Sequence, residues 1–575
     1  MASLPPDIMN MICEELANRR DFGTLFHLCL SGKQMAGGAL WWLYRIHTHA
    51  SIRGGESNED EMSRTGEFKE TSIAARVAQM KLTVSKWALQ WRSIILSSLG
   101  GTVYPYCLYI QSLDLRNLVD LLEDNIFQDN FQDTFFSSLP PFSETQINTR
   151  ILRSKGKKRT PINIRLFINS VGDSISKSVG DSANMLGTVA ALNAIDLSGN
   201  IDPVEFPTWI GRLSRLESMA LWDGTVLNRH AGDVIQKRCQ SFKSLSIYTC
   251  HGEKVDLNLA GFLDALPKNT LKSLHVFSYN DIAGETFQAL NQQHRESLVD
   301  LTLGNLKGPA IRSLSVLKGL TALINLDLDD AEGRINLEST ANDSFLELIG
   351  WVTGCVQLKT IRLNRFVDGP AIMRALCLND KIRLNSITLR GYTFAYNQEL
   401  HRSLANQTEL ESLELRAETE EDDDDNIRED IDTLVSSLSS LKELRYLNIL
   451  DTSNSFQSLQ VELLAVSLPK LEDLSVSGHT MGDEVWGAIS QLHQLRSLSF
   501  HSMTTFTFDG IMKYLSNLRQ SNYGIHLYIM NATAESRLSP HEQTIIKQTI
   551  ENMVNGRFSF VQYREIESDY DSESD

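Results

Sequence analysis

Leu410-Glu411-Ser412-Leu413-Glu414-Leu415 carries apolar residues at its first, fourth and sixth positions, and the chain returns to that spacing along most of its length. Copies stand at Leu192, Ile195, Leu197; at Leu216, Met219, Leu221; at Leu298, Leu301, Leu303; and at Leu323, Leu326, Leu328. Others follow at Leu444, Leu447, Ile449; at Leu471, Leu474, Val476; and at Leu495, Leu498, Phe500. From Leu192 onward successive copies begin 24 to 35 residues apart.

That period is the signature of leucine-rich repeats, each a short strand followed by a return segment. One unit cannot bury its apolar face alone, so neighbours stack into a solenoid. The expected fold class is therefore α/β, a horseshoe of leucine-rich repeats over residues 105–535, with degenerate units at Tyr109 to Leu115 and Gly524 to Ile529.

The 575 residues hold 42% apolar residues and a formal charge of −18. That balance argues against nucleic acid and anionic membranes as partners, since both call for an excess of Lys and Arg. Acidic residues concentrate in a loop over 418–432 and in a tail over 565–575, runs that ordinarily stay solvated. Seven scattered cysteines (Cys13, Cys29, Cys107, Cys239, Cys250, Cys355, Cys377) include no Cys-x-x-Cys pair and no zinc spacing. They point to reduced thiols in a cytoplasmic or nuclear protein, with no metal and no cofactor. No membrane span or signal-peptide core is legible.

The first fifty residues follow a different rhythm. Leu4-Pro5-Pro6-Asp7 opens a helix with proline where backbone donors lack partners. Ile8, Ile12 and Leu16 follow at helical spacing. Asn18 to Asp21 breaks the run; Leu25 and Leu28-Cys29 continue it; Ser31-Gly32-Lys33 breaks it again before Leu40-Trp41. Three helices this short cannot bury all these side chains among themselves. In its order of features the segment resembles an F-box. Met35 stands where that pattern usually has Trp or Phe, and Gly32 loosens a turn. Together with the repeats and Tyr104-Pro105-Tyr106-Cys107-x-Tyr109-Ile110, the chain is similar to fungal F-box/leucine-rich-repeat proteins. The resemblance implies a substrate receptor of an SCF-type cullin–RING ubiquitin ligase. In such a receptor the F-box, here Leu4, Pro5, Ile8, Ile12, Leu16, Leu25, Leu28, Leu40 and Trp41, would grip a Skp-type adaptor joined to a cullin scaffold, and the repeats would hold a protein client. The alternatives are a capping helical subdomain, a non-catalytic repeat scaffold or a GTPase-regulating binding protein.

The expected divisions are an F-box-like domain over 1–50, a flexible linker over 51–70 and a capping helix over 71–104. Within the repeats an insertion spans 118–163, including the basic run Arg153 to Arg159. In the capping helix Met80, Val84, Trp87, Trp91 and Ile95 recur at intervals of three and four. A C-terminal cap over 536–564 starts at Ser539-Pro540-x-Glu542, a capping box.

Strand side chains alternate faces, so residues flanking the inward leucines line the concave surface. Trp222, Tyr248 and Phe277 occupy one position in three successive repeats, and Arg362, Asn364, Arg390 and Arg416 follow. Two arrangements are open for the aromatics: a ledge for a client, or packing against the insertion. The arginines either form a basic strip suited to an acidic or phosphorylated segment, or are neutralised by Asp327, Asp329 or Glu414 across strands. No catalytic motif is legible: no phosphate-binding Gly-x-x-x-x-Gly-Lys-Ser/Thr, no Gly-x-Ser-x-Gly, no His-Glu-x-x-His.

Overall fold

The leucines are in register. In a computed structural model, Leu113, Ile195, Met219, Leu245 and Leu274 are direct partners across one set of strands. Leu301, Leu326, Ile361, Ile387, Leu413, Leu447, Leu474, Leu498, Leu527 and Phe558 are partners across another. The structure describes residues 5–46, 73–137, 139, 152–154, 157–159, 163–186, 192, 194–197, 203–418, 425–453, 455–532 and 538–562. Leu4, the linker over 51–70 and the tail over 565–575 lie outside them.

The chain forms two units, residues 1–297 and 298–575. In the first, β1 (Ser112–Asp114), β4 (Ala194–Leu197), β5 (Ser218–Asp223), β6 (Ser244–Cys250) and β7 (Ser273–Asn280) run parallel in that order. A separate antiparallel pair, β2 (Leu152–Ser154) and β3 (Lys157–Arg159), carries part of the basic run. In the second unit ten parallel strands follow in chain order. They are β8 (Asp300–Leu306), β9 (Asn325–Asp330), β10 (Thr360–Asn364), β11 (Ser386–Thr393), β12 (Ser412–Glu418), β13 (Tyr446–Ile449), β14 (Asp473–Met481), β15 (Ser497–Thr504), β16 (His526–Ala532) and β17 (Arg557–Gln562). Both units are leucine-rich-repeat arrays. Burial alternates along the strands, as in β9, so one face feeds the core and the other stays open. Each fully buried leucine contributes about 1.5–3 kcal/mol relative to exposure.

Polar side chains join one repeat to the next. Asp256 accepts hydrogen bonds from the amides of Ala283, Glu285 and Thr286, capping the next helix, Gly284–Gln293. The third residue before a repeat's first apolar position often closes a backbone carbonyl of the repeat before it. Asn522 donates to Leu492 and Leu495, and the Cys239 and Cys355 thiols lie 3.2 Å from the Leu213 carbonyl and 3.3 Å from that of Leu320. Burial pushes both thiols up to about 12.

Three expected segments differ in detail. Residues 425–432 are not loop: a helix, Asp425–Leu438, buries Ile431, Leu434, Val435 and Leu438 at helical spacing. In the 26-residue helix Ile73–Ser98, Val84, Trp87, Trp91 and Ile95 are buried, but Met80 is 55% exposed and belongs to no core. As far as Phe136 the insertion is a set of short helices, in which Phe127 packs with Phe135, and Phe135 and Phe136 pack with Phe167. At the far end Ser539 and Glu542 close the capping box on Pro540–Val554. Asn555 then takes the left-handed turn, φ 52°, and β17 adds a strand.

Candidate partner-binding surfaces

Three helices open the first unit: α1 (Pro6–Asn18), α2 (Phe22–Ser31) and α3 (Lys33–Arg45). Pro6 begins α1, and Asp21 caps α2 by accepting from the Thr24 amide at 3.0 Å. Their shared core is small: Cys13, Ala17, Leu25 and Ala39, with Leu16, Leu28, Trp42 and Leu43 packed against it. Leu25 is wholly buried, so as an adaptor-contacting residue it is corrected to a core residue; Leu16 and Leu28 support the same core. Ile8 and Ile12 face outward at 45% and 40% exposure, joined on α1 by Met11 and on α2 by Phe26 and Leu30. Pro5 is exposed, while Leu40 and Trp41 are half-buried, with the Arg45 guanidinium 4.3 Å from the Trp41 ring.

The tyrosine-rich motif is the joint between this module and the repeats. Tyr44 of α3 stacks on Tyr106 at 4.6 Å and shares a hydrogen bond of 2.7 Å with Ser93 Oγ. Burial pushes the Tyr44 hydroxyl up to about 12. The Cys107 amide donates to Ser97 Oγ, tying the same motif to helix Ile73–Ser98.

On the open face of the first sheet Trp222, Tyr248 and Phe277 form a continuous ladder. Trp222 stacks on Tyr248 at 5.2 Å, and Tyr248 meets Phe277 at 5.2 Å with the rings tilted by 34°. Trp222 and Phe277 remain 44% and 41% exposed. In the described helices of the insertion Phe127, Phe135 and Phe136 are buried in a cluster with Phe167 rather than against this ladder. Sequence reading missed Arg116, whose guanidinium lies 5.8 Å from the Trp222 ring and 5.2 Å from that of Tyr248. Its signal was present: Arg116 follows Leu113-x-Leu115 as Trp222 follows Met219-x-Leu221.

Of the two arrangements open for the arginines, the second unit's open face has the neutralised one, a charge-compensated ladder. Arg362 meets Asp327 at 3.6 Å, and Arg390 grips Glu414 with two hydrogen bonds of 2.8 and 2.9 Å. Arg416 pairs with Asp451 at 2.8 Å, and Arg365 with Asp329, which Asn364 also contacts. Burial raises the Asp327 carboxyl while Arg362 opposes it; the Glu414 hydrogen bonds raise the Arg390 guanidinium. Each of these cations has an anion on a neighbouring strand or, for Arg416, in the turn after one, so a phosphorylated segment would have to displace a carboxylate.

No protein-family model matches the chain. No curated protein matches it either. Among solved structures it is similar to an internalin from Listeria monocytogenes, at 14% identity over 57% of this chain and 88% of that one, TM-score 0.33. It is similar to the chain in a TLR13–ssRNA13 complex at 12% identity, over 65% and 56% of the two chains, TM-score 0.30. A chain of the Rad7 and Elc1 complex in yeast aligns at 12% identity over 85% and 92%, TM-score 0.33. At these identities the likeness concerns fold alone. Among the described residues no helix is long and apolar enough to cross a membrane, and no cluster of His, Cys, Asp or Glu has metal-site geometry.

Proposed function

We propose that the chain is the substrate-recognition subunit of an SCF-type cullin–RING ubiquitin ligase. The module over 1–50 binds a Skp-type adaptor and through it the cullin, and the open sheet faces over 105–535 hold a protein client. One observation carries the reading. A three-helix module with a core of only a few residues leaves Ile8, Met11, Ile12, Phe26 and Leu30 exposed. Apolar surface concentrated in this way marks an interaction site. The residues offered to the adaptor are Ile8 and Ile12, flanked by Pro5, with Leu16, Leu28, Leu40 and Trp41 shaping the module beneath them. Ubiquitin transfer would be performed by other subunits, so the chain needs no catalytic group of its own.

The test is affinity capture with the intact chain and with an Ile8→Asp, Ile12→Asp variant, reading adaptor and cullin. Two unpaired carboxylates buried in an interface cost several kcal/mol. Adaptor and cullin should be recovered with the intact chain alone. Recovery with neither chain would reduce the module to a structural cap.

A further inference from the structure

The aromatic ladder of the first unit has a geometry that selects among partners. Its rings stack on one another, and Arg116 sits over two of them, so their faces are largely taken and their edges form the exposed ridge. A nucleic-acid base needs a free ring face to stack on, and a phosphate backbone needs several cations. The charged side chains at the ridge of β5, β6 and β7 are two of opposite sign, Asp223 beside Trp222 and Arg116 over the Trp222 and Tyr248 rings, with His275 on an open position of β7. One cation and one carboxylate offset each other, so a strongly charged peptide of either sign finds no net complement there. Beside the ridge, the open positions of the same strands carry Ser218, Ala220, Ser244, Ser246 and Ser273. These small side chains leave a shallow floor next to an aromatic wall.

The spacing then narrows the choice. Trp222 and Phe277 are two strands apart, and adjacent strands lie about 4.8 Å apart, which places the two residues about 9.6 Å from each other along the array. A polyproline II helix repeats every three residues at about 3.1 Å per residue, or about 9.3 Å per turn. Prolines at i and i+3 of such a segment therefore reach Trp222 and Phe277 in step, with Tyr248 between them. The helix is already extended before binding, so little ordering entropy opposes its docking.

We infer that the Trp222–Tyr248–Phe277 ridge is a docking site for an uncharged, proline-rich client segment in the polyproline II conformation. The inference rests on the reading of the open sheet face as a client-binding surface.

The test is fluorescence anisotropy of labelled decaproline with the full chain. Three further labelled probes are compared: an alanine peptide with proline at every third position, the same composition with proline at every second position, and oligouridylate. Decaproline and the every-third peptide should bind saturably, and the every-second peptide at least about fivefold more weakly. Trp222→Ala and Phe277→Ala should each weaken decaproline about tenfold. Leu257→Ala, an exposed residue on helix Val255–Ala265, should leave it unchanged. Tyr248→Leu keeps apolar volume while removing the ring and guards against a variant that merely unfolds; it should also weaken binding. No saturable binding of decaproline up to about 1 mM overturns the inference. So does binding indifferent to all three ring substitutions, or ring-dependent binding of oligouridylate in place of proline. A client held through Trp222 by a chain that ignores decaproline overturns this inference and leaves the receptor reading standing. Failure of adaptor capture, conversely, leaves decaproline binding untouched.

Discussion

Arg390 and Glu414 sit on adjacent strands and share two parallel hydrogen bonds, Nε to Oε1 at 2.8 Å and Nη2 to Oε2 at 2.9 Å. The geometry is the fork that guanidinium and carboxylate make when both are well placed. The Arg390 side chain is nearly half exposed, so water screens much of its attraction. A double-mutant cycle with Arg390→Ala and Glu414→Ala should give a coupling of about 1 kcal/mol or less, shrinking with added salt. A coupling of several kcal/mol would mean that this face is covered in solution.

The same pair predicts how the second unit treats anions. With Glu414 and Asp451 in place, a phosphorylated peptide should bind no better than its unphosphorylated form. Glu414→Gln with Asp451→Asn would release Arg390 and Arg416 and create a preference for the phosphorylated peptide, about tenfold. Titrating both peptides against both chains checks it; a phosphate preference in the unmodified chain would restore the basic strip.

Core and surface of the N-terminal module should separate cleanly by substitution. Leu25→Ala empties a wholly buried site and should cost about 2–5 kcal/mol. Ile12→Ala removes a side chain that is 40% exposed and should change stability by well under half as much. Denaturant melts of the two variants decide the point, and equal losses would place Ile12 in a core.

Asn117 Oδ1 accepts from the indole N–H of both Trp87 and Trp91, at 2.7 and 2.8 Å, where both rings are buried. Asn117→Ala removes the acceptor that both indoles share, at about 1–3 kcal/mol for each buried hydrogen bond lost. We expect a lowered melting temperature together with a change in tryptophan emission. A conservative Asn117→Asp, which keeps the oxygen, should recover part of the loss.

The repeat fold was legible because two periods coincide: alternation within a strand and the 24-to-35-residue return between strands. Both survive substitution of Leu by Met219, Ile387 or Phe558. The aromatic ladder was legible for the same reason, since position within a repeat fixes the face. Pairing was not. Whether Arg390 is free depends on the length and rotamer of Glu414 on the next strand, which no pattern of residue types encodes. Arg116 was passed over because its degenerate repeat opens with Tyr109-Ile110 in place of leucine, although its place after Leu115 matches that of Trp222 after Leu221. The acidic run misled in another way: carboxylates are favourable at the start of a helix, so its second half, from Asp425, leads into Asp425–Leu438. Leu25 and Ile12 read alike as apolar helical positions, and only the crossing of three helices tells core from surface.

Two histidines should make the protein sensitive to mild acid. His294 and His401 are wholly buried, one in each unit, and burial lowers both from the ordinary histidine value to about 4, with the Leu263 backbone opposing at His294. His401 lies beside the ring of Phe394 and 3.4 Å from the Tyr392 hydroxyl, with Asp430 buried close to that tyrosine. In the unfolded chain each histidine takes up a proton near pH 6.5, whereas in the folded chain it stays neutral down to about pH 4. The unfolded state therefore binds more protons across that window, and stability present above pH 6.5 is lost as pH falls toward 4. At pH 5 the loss is about 2 kcal/mol for each histidine. Carboxyls raised by burial, Asp327, Asp330 and Asp368 among them, act in the opposite sense at lower pH, because their folded forms hold protons longer. Melting curves between pH 7.5 and 5 should thus show a fall that His294→Phe and His401→Phe each reduce. A melting temperature flat from pH 7.5 to 5 in the unmodified chain would show that neither ring is kept from protons by its burial.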